Sequence, residues 1–330
     1  MDNLVRIGPS VTIATVGCEH FTAEHLEETV VHTVARRGAL AALAATPLAL
    51  WLAPNSAQAA RTRAAGTSIP RGYSGVDPRT ARRVPLWQEL SPTNPIFVGD
   101  PEFSYEIFTT IAESGYLLEQ ITSLGTHTGT HISAPAHFVE GAKYLNQLSE
   151  SFTLMPLVVI DVQERIEEDG GDFSLGVADL KRWEKRHGRI PANGCVLLLT
   201  GFGEIFGTAA VQAAAKAAAA RKAALKSGFS AQHHHPGTYF DPAPGFTGDA
   251  AAWLFDQRSI GALGSDTFGP DATSDEDFSA TLTTLEKGGI TVENVGPGLA
   301  SMRPYGDWVS INGARPKFSG FQMGITGFTT

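Results

Sequence analysis

Three histidines, His127, His131 and His137, fall within eleven residues of the run THTGTHISAPAHF at 126–138. A spacing of four puts His127 and His131 on one face of either a helix or a strand. Gly129, the β-branched Thr128 and Thr130, and Pro135 argue against a helix. On a strand, positions 127, 129, 131 and 133 share a face, and Gly129 leaves room between the two imidazoles. Neutral imidazole is the commonest protein ligand for zinc and its neighbours, so the stretch predicts a metal site. Three unrelated histidines on a loop would give the same spacing.

The elements that must position these residues are legible around them. Residues 116–125 read as a strand running into a loop. Residues 154–162 form a short continuous apolar run, the pattern of a buried strand, and 194–201 form another. Between them, 177–188 has helical spacing and stops at Gly188, with His187 placed as a cation at the helix C-terminus. Thr247 is predicted to cap a helix from 248 to about 257. A strand and turn at 260–267 end in Asp266-Thr267, and a short alternating strand near 290–295 carries Glu293. This alternation describes a mixed α/β chain.

Composition narrows the function classes. The 330 residues are 42% hydrophobic and 18% charged, which suits a globular protein with an ample core. A formal charge of -9 without a basic stripe argues against a nucleic-acid partner. No uninterrupted apolar run reaches the roughly 18 residues that a membrane span needs. Cys18 and Cys195 are too few for a disulfide framework. Arg36-Arg37, the apolar run 38–52 and Ala57-Gln58-Ala59 give residues 1–59 the build of a signal peptide of the twin-arginine kind, so the protein is expected to be exported. A linker is expected over 60–84 and the folded domain over 85–330, with an alanine-rich surface helix inserted at 209–227. The tract His233-His234-His235 follows, and one of its histidines is a candidate metal ligand.

The motif at 126–138 resembles the HxGTHxDxPxHF signature of the bacterial cyclase-like metal hydrolases, the family of kynurenine formamidase and isatin hydrolase. His127, Gly129, Thr130, His131, Pro135, His137 and Phe138 stand where that pattern wants them, and Ser133 replaces its aspartate. The likeness continues through 97–101, 240–254 and 264–267, and through 281–295, where Thr281 stands in place of a histidine. The resemblance implies a single α/β domain of the swivelling β/β/α kind, usually oligomeric, that binds zinc or manganese. It implies metal-activated water attacking an amide, formamide or lactam of a small aromatic substrate. Carried over, His127, His131 and Glu293 bind metal, His137 shuttles the proton and Phe97 contacts the substrate ring. Ser133, Asp266 and His235 are further candidates as ligands or as groups that orient one. With two ligand positions changed, about one ion per chain is expected. A lactone hydrolase or cyclase, or a non-catalytic binding protein on the same fold, stays open beside the amide hydrolase.

Overall fold

The computed structural model describes residues 4–6, 12–14, 69–77, 79–97, 99–207 and 242–329. The signal-peptide features at 36–59, the alanine-rich stretch and the His233–His235 tract lie outside the described residues. The chain divides into two compact units, Met1–Thr67 and Ser68–Thr330. In the first, strands β1 (Leu4–Arg6) and β2 (Thr12–Ala14) pair antiparallel. No described helix is long and apolar enough to cross a membrane.

The second unit is built on the strands that the apolar runs predict. β7 (Leu154–Asp161) and β9 (Cys195–Leu199) are buried over nearly their whole length and pair in parallel. Parallel strands need a crossover, and α3 (Val177–His187) supplies it, amphipathic and ended by Gly188 as its sequence predicts. α4 (Gly248–Arg258), capped by Thr247 Oγ1 accepting from the Ala250 amide, crosses to β11 (Ala262–Ser265). α5 (Ser279–Glu286) crosses in turn to β12 (Ile290–Glu293). β11 pairs in parallel with both β9 and β12.

Antiparallel strands extend this parallel centre on both sides. The full order is β14-β6-β12-β11-β9-β7-β13-β15-β3, where β3 is Arg82–Pro85, β6 is His131–Ser133, β13 is Tyr305–Asn312, β14 is Gly320–Gln322 and β15 is Gly324–Thr329. Alternation along β7 sends Leu157 and Val159 to one core layer and Val158 and Ile160 to the other, under α3 and α4. The expected linker at 60–84 is therefore too long. β3 closes one edge of the sheet, and Tyr73 is buried with its hydroxyl donating to Leu157 O at 2.7 Å. Apart from the sheet stands a hairpin of β4 (Ser104–Thr109) and β5 (Leu118–Ser123), joined through the short helix α1 (Ile111–Ser114).

His187 stands exposed in the last turn of α3, as its position predicts, with its ring against Trp183 at 4.8 Å; partial desolvation there, with Arg186 beside it, lowers its pKa.

Candidate active site

The histidine stretch is only partly a strand. Gly129 has a φ of +66°, so 125–130 turns as a loop, and only His131–Ser133 enter the sheet. Gln322 on β14 holds that loop by donating from Nε2 to the carbonyls of Gly125 and Thr128, at 2.8 and 2.9 Å. Thr130 Oγ1 ties it to β12 by donating to Asn294 O at 2.6 Å. Asn294 Nδ2 donates back to Gly129 O at 3.1 Å.

β6 lies between β12 and β14, and this register assembles the site. His131 is directly opposite Glu293 on one side and Gln322 on the other, and Ser133 is opposite Thr291 and Gly320. His131 Nδ1 donates to Gly129 O at 2.9 Å, which turns Nε2 toward Glu293 Oε2 at 3.4 Å. That Nε2 is buried and has no hydrogen-bond partner. The other carboxylate oxygen, Oε1, accepts from Thr291 Oγ1 at 2.6 Å and from Ser133 Oγ at 3.1 Å.

Counting protons fixes the rest of the network. The single Ser133 hydroxyl proton goes to Glu293, so Ser133 Oγ accepts from His127 Nδ1 at 3.2 Å. His127 Nε2 then accepts from Ser319 Oγ, also at 3.2 Å. The His127 ring packs flat on the Gly320 backbone, where a side-chain carbon would lie 2.3 Å from Cε1. On its other side it stacks on His137, with centroids 3.9 Å apart and planes at 21°. Burial, with His131 and His137 nearby, lowers the His127 pKa to about 2. Burial also lowers that of His137, against an upward pull from Glu293. Both rings are thus disposed to stay neutral, the state that accepts protons or binds metal.

His137 leads into an aromatic wall. Its ring meets Phe138 edge-on at 4.8 Å, Phe138 meets Phe278 at 5.8 Å, and Phe278 and Phe268 flank Phe97 at 6.4 and 6.1 Å. Phe278 holds a φ of +52°, a left-handed backbone that a bulky residue rarely adopts and that surrounding structure must enforce.

Of the expected residues, the structure gathers His127, His131, Ser133, His137 and Glu293, with Phe97 on the adjoining wall. It does not bring Asp266 to a histidine. That carboxylate accepts from Thr200 N and Oγ1 and from the amides of Gly201 and Gly203, so it holds the turn at 200–203. Thr281 is turned away too, its hydroxyl donating to the buried Asp271. Thr291, Ser319 and Gly320 have no local sequence signal, because only strand register brings them to the histidines.

A cation fits this donor set at its His131–Glu293 end. An unpartnered ring nitrogen facing a carboxylate across 3.4 Å has about the separation of two donors on one tetrahedral ion. Ser133 and His127 continue the arc at 3.1 and 3.2 Å. Among the described residues no three His, Cys, Asp or Glu side chains already converge as a cage, because Ser133 stands between His127 and Glu293.

Comparison with known proteins agrees with the fold. Isatin hydrolase A from Ralstonia solanacearum superposes with a TM-score of 0.61 at 23% identity, covering 88% of this chain and 100% of that one. A further isatin hydrolase A, from Labrenzia aggregata, gives 0.62 at 22% identity over 82% and 99%. In sequence, the isatin hydrolase of Roseibium aggregatum is 27% identical over 195 residues, 56% of this chain and 65% of that protein. The kynurenine formamidase of Bacillus anthracis is 33% identical over 84 residues, 26% and 40% respectively. The matches thus span less than two thirds of either relative. The sequence profile of the family described as "Putative cyclase" matches residues 79–272, more than half of the sequence, and the chain belongs to that cyclase family.

Proposed function

We propose that this chain is a metal-dependent hydrolase that cleaves an amide, formamide or lactam bond of a small aromatic molecule. The observation that carries the reading is the buried, unpartnered His131 Nε2 aimed at Glu293 Oε2. His131 and Glu293 would hold one divalent ion, zinc or manganese, with His127 as third donor once its tautomer reverses and Nδ1 carries the lone pair. Such an ion supplies Lewis acidity to a carbonyl and lowers the pKa of water toward neutrality.

The other tasks fall to the chain's own side chains. Glu293 is fixed by two hydroxyl donors, Thr291 and Ser133, so its second oxygen stays directed at His131. His137 is held by its stack on His127 and sits at the solvent side of the pair. Neutral His137 takes the proton from attacking water and returns it to the leaving nitrogen, as a general base and then a general acid. Phe138, Phe278 and Phe97 offer ring faces and edges to a planar aromatic substrate and exclude water from one side. That similar proteins are named isatin hydrolase and kynurenine formamidase supports an aryl ring beside the scissile bond.

The test is elemental analysis of purified protein together with hydrolysis of a panel of aryl formamides, lactams and lactones. About one ion per chain and turnover of an amide or lactam is expected. A lactone-only activity, or a metal-bound protein that turns over nothing, would favour the other readings.

A further inference from the structure

Between the helices α2 (Gln163–Asp169) and α3 and the end of β7 lies a cavity of about 460 Å³, and no residue that lines it belongs to the candidate active site. The sheet opens there for a local reason. β13 begins at Tyr305, opposite Val158, and its register shifts between Tyr305 and Asp307. The Val159 amide makes a last tie, donating to Pro304 O at 3.0 Å. Among the described residues, Ile160 and Asp161 therefore have a strand beside them on one side only, β9. Ile160, Val162, Leu175 and Trp183 line the opening as a buried apolar floor. The His187 ring, 4.8 Å from that of Trp183, extends this floor at its aromatic end.

Three carboxylates, Asp161, Glu164 and Asp179, and three guanidinium groups, Arg165, Arg182 and Arg186, line the walls. Equal numbers of each sign favour a ligand without net charge. Most of these groups are engaged within the chain. Asp179 accepts from the Gly176 amide at 2.9 Å and pairs with Arg182 and, at 3.5 Å, with Arg165. Asp161 accepts from the Gln163 amide at 3.0 Å. The side chains of Glu164 on α2 and Arg186 on α3 form no hydrogen bond or ion pair among the described residues, with each other or with any other group. The cavity thus presents one free anion, one free cation and an apolar floor.

We propose that this cavity is a second binding site, and that it takes a small zwitterion with an apolar body, an aromatic α-amino acid. The Arg186 guanidinium takes the carboxylate, a planar fork on a planar group. Glu164 takes the ammonium. The ligand's ring lies on Ile160, Val162 and Leu175 beside the Trp183 indole. The volume is that of a small-molecule site. None of these contacts involves the groups that would hold the ion.

Isothermal calorimetry on the full chain, with L-phenylalanine as probe, tests this. One saturable site per chain is expected. 3-Phenylpropanoate lacks the ammonium and phenethylamine lacks the carboxylate, so each should bind at least about tenfold more weakly. Arg186→Gln and Glu164→Gln change exposed side chains and should leave the circular dichroism unaltered. Arg186→Gln should weaken L-phenylalanine about tenfold without weakening phenethylamine. Glu164→Gln should weaken L-phenylalanine by a similar factor without weakening 3-phenylpropanoate. His131→Ala alters the candidate active site and should leave this binding unchanged. No saturable binding by wild type overturns the proposal, and so does binding that neither cavity substitution weakens. Binding lost in His131→Ala would put the probe in the candidate active site and overturns it as well. Equal affinity for L-phenylalanine and 3-phenylpropanoate overturns the zwitterion assignment.

Discussion

On the strand flank of the site, Ser133 stands where the resemblance expects an aspartate, yet its hydroxyl still points inward, between His127 and Glu293. On the helix flank, Thr281 stands where a histidine is expected, and its hydroxyl leaves the site for Asp271. Asp271 also accepts from the amides of Ala280 and Thr281 at 2.7 and 3.0 Å, so it caps the start of α5. The same kind of replacement, a small hydroxyl for a metal ligand, has two outcomes. A strand residue cannot leave its face without slipping register against both neighbours, so Ser133 stays in the donor arc. A residue in a helix's first turn lies beside whatever carboxylate accepts from the helix's first amides, and the Thr281 hydroxyl donates to that carboxylate. The strand flank keeps its donors facing one another, while the helix flank turns its hydroxyl to a structural carboxylate.

The largest effect that would break this comparison is at the strand flank. His131→Ala should abolish ion binding and turnover together, whereas Thr281→Val should leave the ion in place and cost about 1–3 kcal/mol of stability, from a buried carboxylate losing a donor. Elemental analysis beside thermal unfolding separates the two. An ion lost from Thr281→Val would mean that the helix flank still ligates.

Next in size is His137→Ala, which should keep the ion and lower turnover roughly 10²–10⁴-fold, the usual contribution of a positioned general acid or base. The variant should also flatten the pH–rate limb that His137 controls. Loss of the ion would instead make His137 a ligand.

A smaller change tests the floor beneath His127. Gly320→Ala places a carbon 2.3 Å from His127 Cε1, so the ring must move and both serine contacts break. Ion affinity should fall about 10–100-fold, the range seen when groups that orient a ligand are disturbed. A competition titration with a chelating dye reads it, and unchanged affinity would remove His127 from the donor set.

An effect on stability alone, leaving ion and turnover untouched, sharpens the helix flank. Burial pushes the Asp271 carboxyl up to about 7, against the hydrogen bonds from Thr281 and Ala280 and with Asp275 adding to the rise. A carboxyl raised above its unfolded value binds more protons in the folded state between about pH 4 and pH 7. Its contribution to stability is therefore greatest at the acid end of that window and is lost as pH rises through it. Asp271→Asn should flatten that part of the stability–pH curve measured by denaturant titration. An unchanged curve would show that Asp271 ionises normally.

Much of the scaffold was legible from short patterns. Continuous apolar runs gave β7 and β9 because strands buried on both faces need no alternation, and Gly188 and Thr247 marked the ends of α3 and α4. The four-residue spacing of His127 and His131 was likewise a local signal, although no single strand face carries both rings. Gly129 bends the chain, so the two rings meet at 5.1 Å from a loop and a strand rather than along one strand face.

The partners of those histidines belonged to the tertiary structure. Glu293 was visible as a candidate carboxylate, but its pairing opposite His131 follows from β6–β12 register. Ser319 and Gly320 enter only because β14 lies on the other side of β6. Asp266 carried a motif that suited a metal site, and the fold used it to hold a turn. A sequence sets which side chains are available and which local periods they follow. Which of them face one another across 160 residues is decided by strand pairing and packing, where nearly every buried donor and acceptor finds a partner and His131 Nε2 stands out as one that does not.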